Sequence, residues 1–214
     1  MMRAATSQEA IRAIKAIENV QQGLHAADAP ASWRLSAFSG RFGEISGGHA
    51  CASLTLAFRL VLEAQQLEEP VAWISGNESV FFPPDAAEAG VDLDILVVIL
   101  ASETLQVARA ADHLLRSGAF GLVVMDLGTR SHLPLHAQTR LIGLSNKHDT
   151  ALVCLTEKES DRPSISPLIS LRAQAVRTRR LGDRYRCEAR IIKDKRRGPG
   201  WTHAEICRAP DGLH

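Results

Sequence analysis

Two glycines, Gly47 and Gly48, separate a short apolar segment from a longer apolar stretch. At such a turn, backbone N–H groups and the start of a helix can cradle a phosphate. The complete pattern, G-x-x-x-x-G-K-[ST], adds a lysine for the β- and γ-phosphates and a hydroxyl for Mg²⁺. Counted from Gly47, the second glycine, lysine and hydroxyl positions hold Ala52, Ser53 and Leu54; counted from Gly48, they hold Ser53, Leu54 and Thr55. No lysine occurs between Lys15 and Lys147, so no shift of register supplies one. Phosphoryl transfer depends on that charge. The expectation is a degenerate nucleotide site formed by Gly47, Gly48 and Asp126, with no catalytic residue, no ATP hydrolysis and no cofactor.

Other chemistry-bearing residues are sparse. Asp126 closes the apolar run that starts at Leu122 and reads either as a Mg²⁺ ligand or as an acid hydrogen-bonded locally. Glu78 would act as a general base only beside a phosphate-bound water. His49, within the glycine turn, reads as a cap or filler of the phosphate space. His132 and His136 are four apart, but Pro134 lies between them and no H-E-x-x-H occurs, so no metal site is expected. Cys51, Cys154, Cys187 and Cys207 form no C-x-x-C pair and read as reduced thiols of a cytoplasmic protein.

Net charge is +1, but it is unevenly spread: residues 172–197 hold eleven Lys/Arg against three Asp/Glu. Arg177, Arg179, Arg180, Arg184, Lys193, Lys195, Arg196 and Arg197 are the candidate surface for an anionic partner, with salt-dependent DNA binding as one form. A solvated face laced with ion pairs is the other reading. Trp201 beside them reads as a stacking platform or as packing.

These residues need elements to hold them. Thr6–Glu9 reads as a capping box, and Ile11, Ile14 and Ile17 begin an apolar stripe on a helix that ends near Asp28. That stripe is a second candidate partner surface. From residue 41 onward, strand and helix alternate: strands at 41–46, 71–75, 95–100, 122–125 and 151–155, and helices at 50–66, after Pro83, after Ser102 and at 135–146. Such alternation implies βαβ units and a parallel sheet. The run 95–100 is apolar on both faces and reads as a parallel, buried strand. Three further strands follow without helices, near 168–177, 184–193 and 201–207, and read as an antiparallel extension. The fold class is therefore α/β, with an N-terminal helix and linker over 1–34 and a core over 35–214. No apolar run is long enough to span a membrane.

The segments GRFGEISGG (40–48), VAWISGNES (71–79), AGVDLDILVV (89–98), RSGAFGLVVMD (116–126), DTALVCLTE (149–157) and SLRAQAVRTRR (170–180), in this order, resemble the ATPase core of the RecA family. YRCEARIIKDKRRGPGWTHAEI (185–206) continues the likeness. It implies a RecA-like core in which Asp126 matches the acid at the end of the Walker B strand, and Asn77-Glu78 falls near the family's catalytic glutamate. The stretches matching the family's DNA-binding loops, 127–134 and 158–167, are short. A small RecA-like chain without the phosphate-loop lysine is similar to the ImuA accessory proteins of the bacterial SOS mutagenesis cassette. That likeness implies contacts with an ImuB-like protein and with RecA. The SulA division inhibitors, which bind FtsZ, are the second resemblance. Self-association stays open.

Overall fold

The computed structural model describes residues 32–76, 79, 81–129, 132–179 and 184–208. The capping box and the apolar stripe with Ile11, Ile14 and Ile17 lie outside these residues, as do Glu78 and Arg180. The compact unit starts at Ser32, and Trp33, read as linker, is buried and donates its indole N–H to the Leu56 carbonyl at 3.0 Å.

Eight strands form one sheet: β1 Phe42–Gly47, β2 Val71–Ser75, β3 Leu96–Leu100, β4 Leu122–Asp126, β5 Ala151–Glu157, β6 Leu171–Arg179, β7 Arg184–Asp194 and β8 Thr202–Arg208. Their order is β3-β2-β4-β5-β1-β6-β7-β8. The first six are parallel to one another; β7 runs antiparallel to β6, and β8 antiparallel to β7. The parallel part thus takes in β6, which the sequence reading placed in the antiparallel extension. Its pairing to β1 over Gly43–Ser46 is non-local and leaves no local signature.

Among the described residues, four α-helices connect the strands: α1 Ser53–Gln66, α2 Pro83–Glu88, α3 Thr104–Ser117 and α4 Leu135–His148. Prolines open α2, and a left-handed Gly118 (φ 63°) closes α3, as proline and glycine at helix ends predict. Ser102 is not the cap of α3. That position is Glu103, and the Ser102 hydroxyl donates instead to Gln106 Oε1 at 2.7 Å.

Two apolar cores result. On one face of the sheet, α1 buries Leu56, Leu60 and Val61 against Trp73, Val124, Val153 and the inward residues Cys187, Ala189 and Ile191 of β7. On the other, α3 and α4 bury Val107, Ala111, Leu115 and Leu141 against Ile74, Met125 and Leu152. Strands β2 and β4 are buried along their length, as their apolar runs require when helices cover both faces, and β1 is buried along its length despite its Glu44.

Strand β3 is parallel to β2 as expected, but it is not buried. It lies at the sheet edge, and Val97, Val98 and Leu100 are exposed, Leu100 by 82%. Apolar residues on both faces of a strand are consistent with an interior position, but strand order decides that, and sequence periodicity does not encode strand order.

Candidate functional site

Parallel pairing brings the ends of β1, β4 and β5 together. Asp126 pairs with Leu155 and Gly47 with Glu157. A cavity of about 290 Å³ opens there, lined among others by Gly47, Gly48, His49, Asp126, Glu157 and Arg177. This is where open α/β sheets hold ligands, outside the carboxyl ends of their strands. The structure therefore gathers Gly47, Gly48 and Asp126, the three residues of the expected degenerate nucleotide site, with His49 and one member of the basic set.

Two side chains lie against the glycines of the turn. A Cβ on Gly47 would collide with the Cys51 sulfur, and a Cβ on Gly48 with Oε1 of Glu159. Ala50 adopts a left-handed conformation (φ 57°) to bring the turn into α1. Carboxylates dominate this end of the sheet, since Asp126 and Glu157 line the cavity and Glu159 lies against the turn. Arg177 is exposed, with its guanidinium 5.1 Å from the Tyr185 ring centroid. Asp126 is buried and accepts a hydrogen bond from the Ser79 hydroxyl at 2.6 Å, while its carbonyl accepts from the Gly76 N–H at 3.0 Å.

Beneath the turn lies a polar network absent from the sequence reading. Glu44, fully buried in β1, has Oε1 2.5 Å from Lys158 Nζ and 2.9 Å from the Thr156 hydroxyl that donates to it. Arg172 Nε is 3.7 Å from Glu44 Oε2 and donates to Ser46 Oγ at 3.0 Å. Lys158 is the lysine that follows β5, and its second contact is the Pro163 carbonyl at 2.8 Å. The available signal was a glutamate inside an apolar strand, Phe42–Gly47. A buried carboxylate requires a cation, and Lys158 and Arg172 flank the neighbouring strands.

The basic set does not form one patch. Arg172 and Lys193 are register partners at the start of β6, and Arg177 lies five residues further along, about 17 Å at strand rise. Lys193 and Lys195 both donate to the Pro167 carbonyl at 3.2 Å. Burial, and then the charge of Lys195, hold the Lys193 ammonium below its ordinary value. Arg196 Nη2 reaches the Ser39 carbonyl at 3.2 Å, and Arg197 is exposed. Arg179 ends β6; its side chain, like Arg180, lies outside the described residues. Trp201 is half-buried against the core and donates to Asp194 Oδ2 at 3.2 Å, which is packing.

A different basic surface emerges instead. Arg184, Arg186, Glu188 and Arg190 alternate along β7 on the face opposite Cys187, Ala189 and Ile191. Across the ladder, Arg208 opposes Arg184, Ile206 opposes Arg186 and Thr202 opposes Arg190. Glu188 bridges Arg186 (3.7 Å) and Arg190 (3.2 Å). Among the described residues, this face sets Glu188 beside Arg184, Arg186, Arg190 and Arg208.

His132 and His136 are exposed. Among the described residues, no group of three or more His, Cys, Asp or Glu side chains is placed to hold a metal, and no helix is long and apolar enough to cross a membrane. All four cysteines are free thiols.

A profile of the RecA N-terminal domain matches residues 8–136. Protein RecA of Fusobacterium nucleatum is 29% identical over 137 residues, covering 55% of this chain and 36% of that protein. Protein RecA of Aquifex pyrophilus is 26% identical over 217 residues, covering 80% and 62%. Protein RecA of Bifidobacterium longum is 37% identical over 87 residues, covering 41% and 22%. The chain thus spans less than two thirds of the length of each of these relatives.

Proposed function

Because the chain belongs to the RecA N-terminal domain family yet has no lysine in its glycine turn, we propose that it is a non-ATPase accessory protein acting through partner contacts. The role is that of the ImuA-like proteins it resembles: work in SOS mutagenesis beside an ImuB-like protein, RecA, or both. The observation that carries this reading is the state of the turn. Cys51 and Glu159 lie against Gly47 and Gly48, and the cavity carries Asp126 and Glu157. Lys158, the lysine that follows β5, is committed to Glu44. Phosphate at this place would meet Asp126 and Glu157, with Arg177 on the Tyr185 ring as the cavity's cation and no lysine in the turn where catalysis needs one.

Two measurements test the reading. Full-length protein titrated with ATP and Mg²⁺ is expected to neither bind nor hydrolyse it at millimolar concentration; tight binding with turnover would overturn the proposal. Tagged protein expressed in DNA-damaged cells is expected to retain an ImuB-like protein or RecA. Retention of FtsZ instead would replace this role with SulA-like division inhibition.

The arginine face of β7 and β8 supports a second reading, direct binding of single-stranded DNA. Arg184, Arg186, Arg190 and Arg208 present guanidinium groups at strand spacing on one face of β7 and β8. Phosphate contacts of that kind are strongly salt-dependent and indifferent to sequence.

A further inference from the structure

The edge strand β3 reads nearly the same in both directions. From Leu96 to Leu100 it runs Leu-Val-Val-Ile-Leu, with a leucine at each end, a β-branched residue next to each, and Val98 at the centre. It carries no charge and no proline, and its register with β2 is unbroken. Those are the devices that normally blunt an exposed edge. The other edge of the sheet, β8, carries His203, Glu205 and Arg208.

The sheet uses one side of this strand. The Ala101 N–H donates to the Ser75 carbonyl at 2.9 Å, at the end of the β2–β3 ladder. Backbone groups alternate in direction along a strand. Val97, Ile99 and Ala101 therefore turn theirs toward β2, and Leu96, Val98 and Leu100 turn theirs outward. Among the described residues, no strand pairs with that outward side. The side chains of Ile95, Val97, Val98 and Leu100 are exposed beside it.

A two-fold axis at Val98 sets Val98 against Val98 of the second copy, Leu96 against Leu100 and Val97 against Ile99. Like shapes then meet at every position, as a contact between identical surfaces requires. The outward groups of Leu96, Val98 and Leu100 all fall in hydrogen-bonded pairs. Charge selects the same direction. Asp92, Asp94 and Glu103 flank the strand, and parallel pairing in register would set each against itself. Continued along the chain, the antiparallel count sets Asp94 against Ser102 and Glu103 against Leu93, so no acid directly opposes another.

We propose that β3 is a homodimer interface, at which two copies join their sheets edge to edge through an antiparallel pair of β3 strands centred on Val98. The interface lies at the end of the sheet away from β7 and β8, so it is independent of the arginine face and of the partner role.

Two experiments on the full chain test this. In sedimentation velocity over a concentration series, the wild type is expected to pass from monomer to dimer. Val98→Lys with Leu100→Lys is expected to weaken that step about tenfold or more, because lysines would meet across the axis. A wild type that stays monomeric throughout, or a double variant that dimerises equally well, would overturn the proposal. Disulfide trapping with diamide fixes the geometry. Val98→Cys is expected to give a covalent dimer absent from the wild type, since opposed hydrogen-bonded residues have Cα atoms about 5.5 Å apart, within disulfide reach. Leu100→Cys is expected to stay uncrosslinked, because its counterpart lies four residues along, about 13 Å away. Both sites are exposed. No trapped dimer of Val98→Cys, or a trapped dimer of Leu100→Cys, would refute the antiparallel pair.

Discussion

Lys158 and Glu44 form a buried ion pair, with Nζ 2.5 Å from Oε1 and the two side chains 13% and 0% exposed. The pair joins the segment after β5 to the middle of β1. Removing one partner from a buried pair leaves a charge without compensation and costs about 3–5 kcal/mol. Arg172, 3.7 Å from the other carboxylate oxygen, softens the loss. Lys158→Met is therefore expected to destabilise by about 3 kcal/mol, and Glu44→Gln by a similar amount. In urea denaturation the double variant should fall well short of the sum of the singles. Additive losses would mean that the two residues do not interact.

Asp194 gives a pH signature. Burial by itself would raise its carboxyl pKa. Hydrogen bonds from Arg41, the Arg196 N–H and Trp201, with the Arg41 charge, outweigh burial and hold it below the ordinary value of 3.8. A depressed folded-state value means stability that is fully present above the unfolded pKa and lost as pH falls through the folded one. The wild type should lose this contribution only in acid below about pH 4. Asp194→Asn should be less stable at pH 7, and its stability should fall less steeply below pH 4. Parallel curves of melting temperature against pH would refute the assignment.

The arginine face makes a distinct prediction about nucleic acid. Arg184→Glu with Arg190→Glu should weaken binding of a single-stranded oligonucleotide about tenfold and lower the salt slope by roughly 1–2. Lys195→Glu with Arg196→Glu should have a smaller effect, because those side chains are engaged with Pro167 and Ser39. Fluorescence anisotropy across a salt series measures both. Equal losses would restore the single basic patch that the sequence suggests.

Edge strand β3 leaves Val97, Val98 and Leu100 open to solvent, and exposed apolar edges template pairing with other chains. Val98→Lys with Leu100→Lys should change folding stability by less than about 0.5 kcal/mol per site. The same pair should reduce concentration-dependent association in sedimentation velocity. An unchanged mass distribution would show that the edge does not drive self-association.

The order of strands and helices was legible in the sequence because apolar periodicity and turn residues are local signals. The apolar runs Val71–Ser75 and Leu122–Asp126 announce strands buried on both faces, and Gly118 announces the end of α3. The missing lysine was equally legible, since it rests on residue type alone: no register places one at the turn, and none lies between Lys15 and Lys147.

Neighbours were not legible. Leu96–Leu100 has the composition of an interior strand, yet strand order places it at the edge. Lys193 and Arg177 are close in the charge count, yet the β6–β7 ladder separates them along the strands. Glu44, Lys158 and Arg172 come from three distant stretches and meet only because β5 and β6 flank β1. The sequence by itself determined the elements and the missing lysine, because both depend on residue type and short-range spacing. Only the tertiary structure decided which charges share a buried space and which lie apart, because pairing between strands brings together residues that local spacing cannot relate.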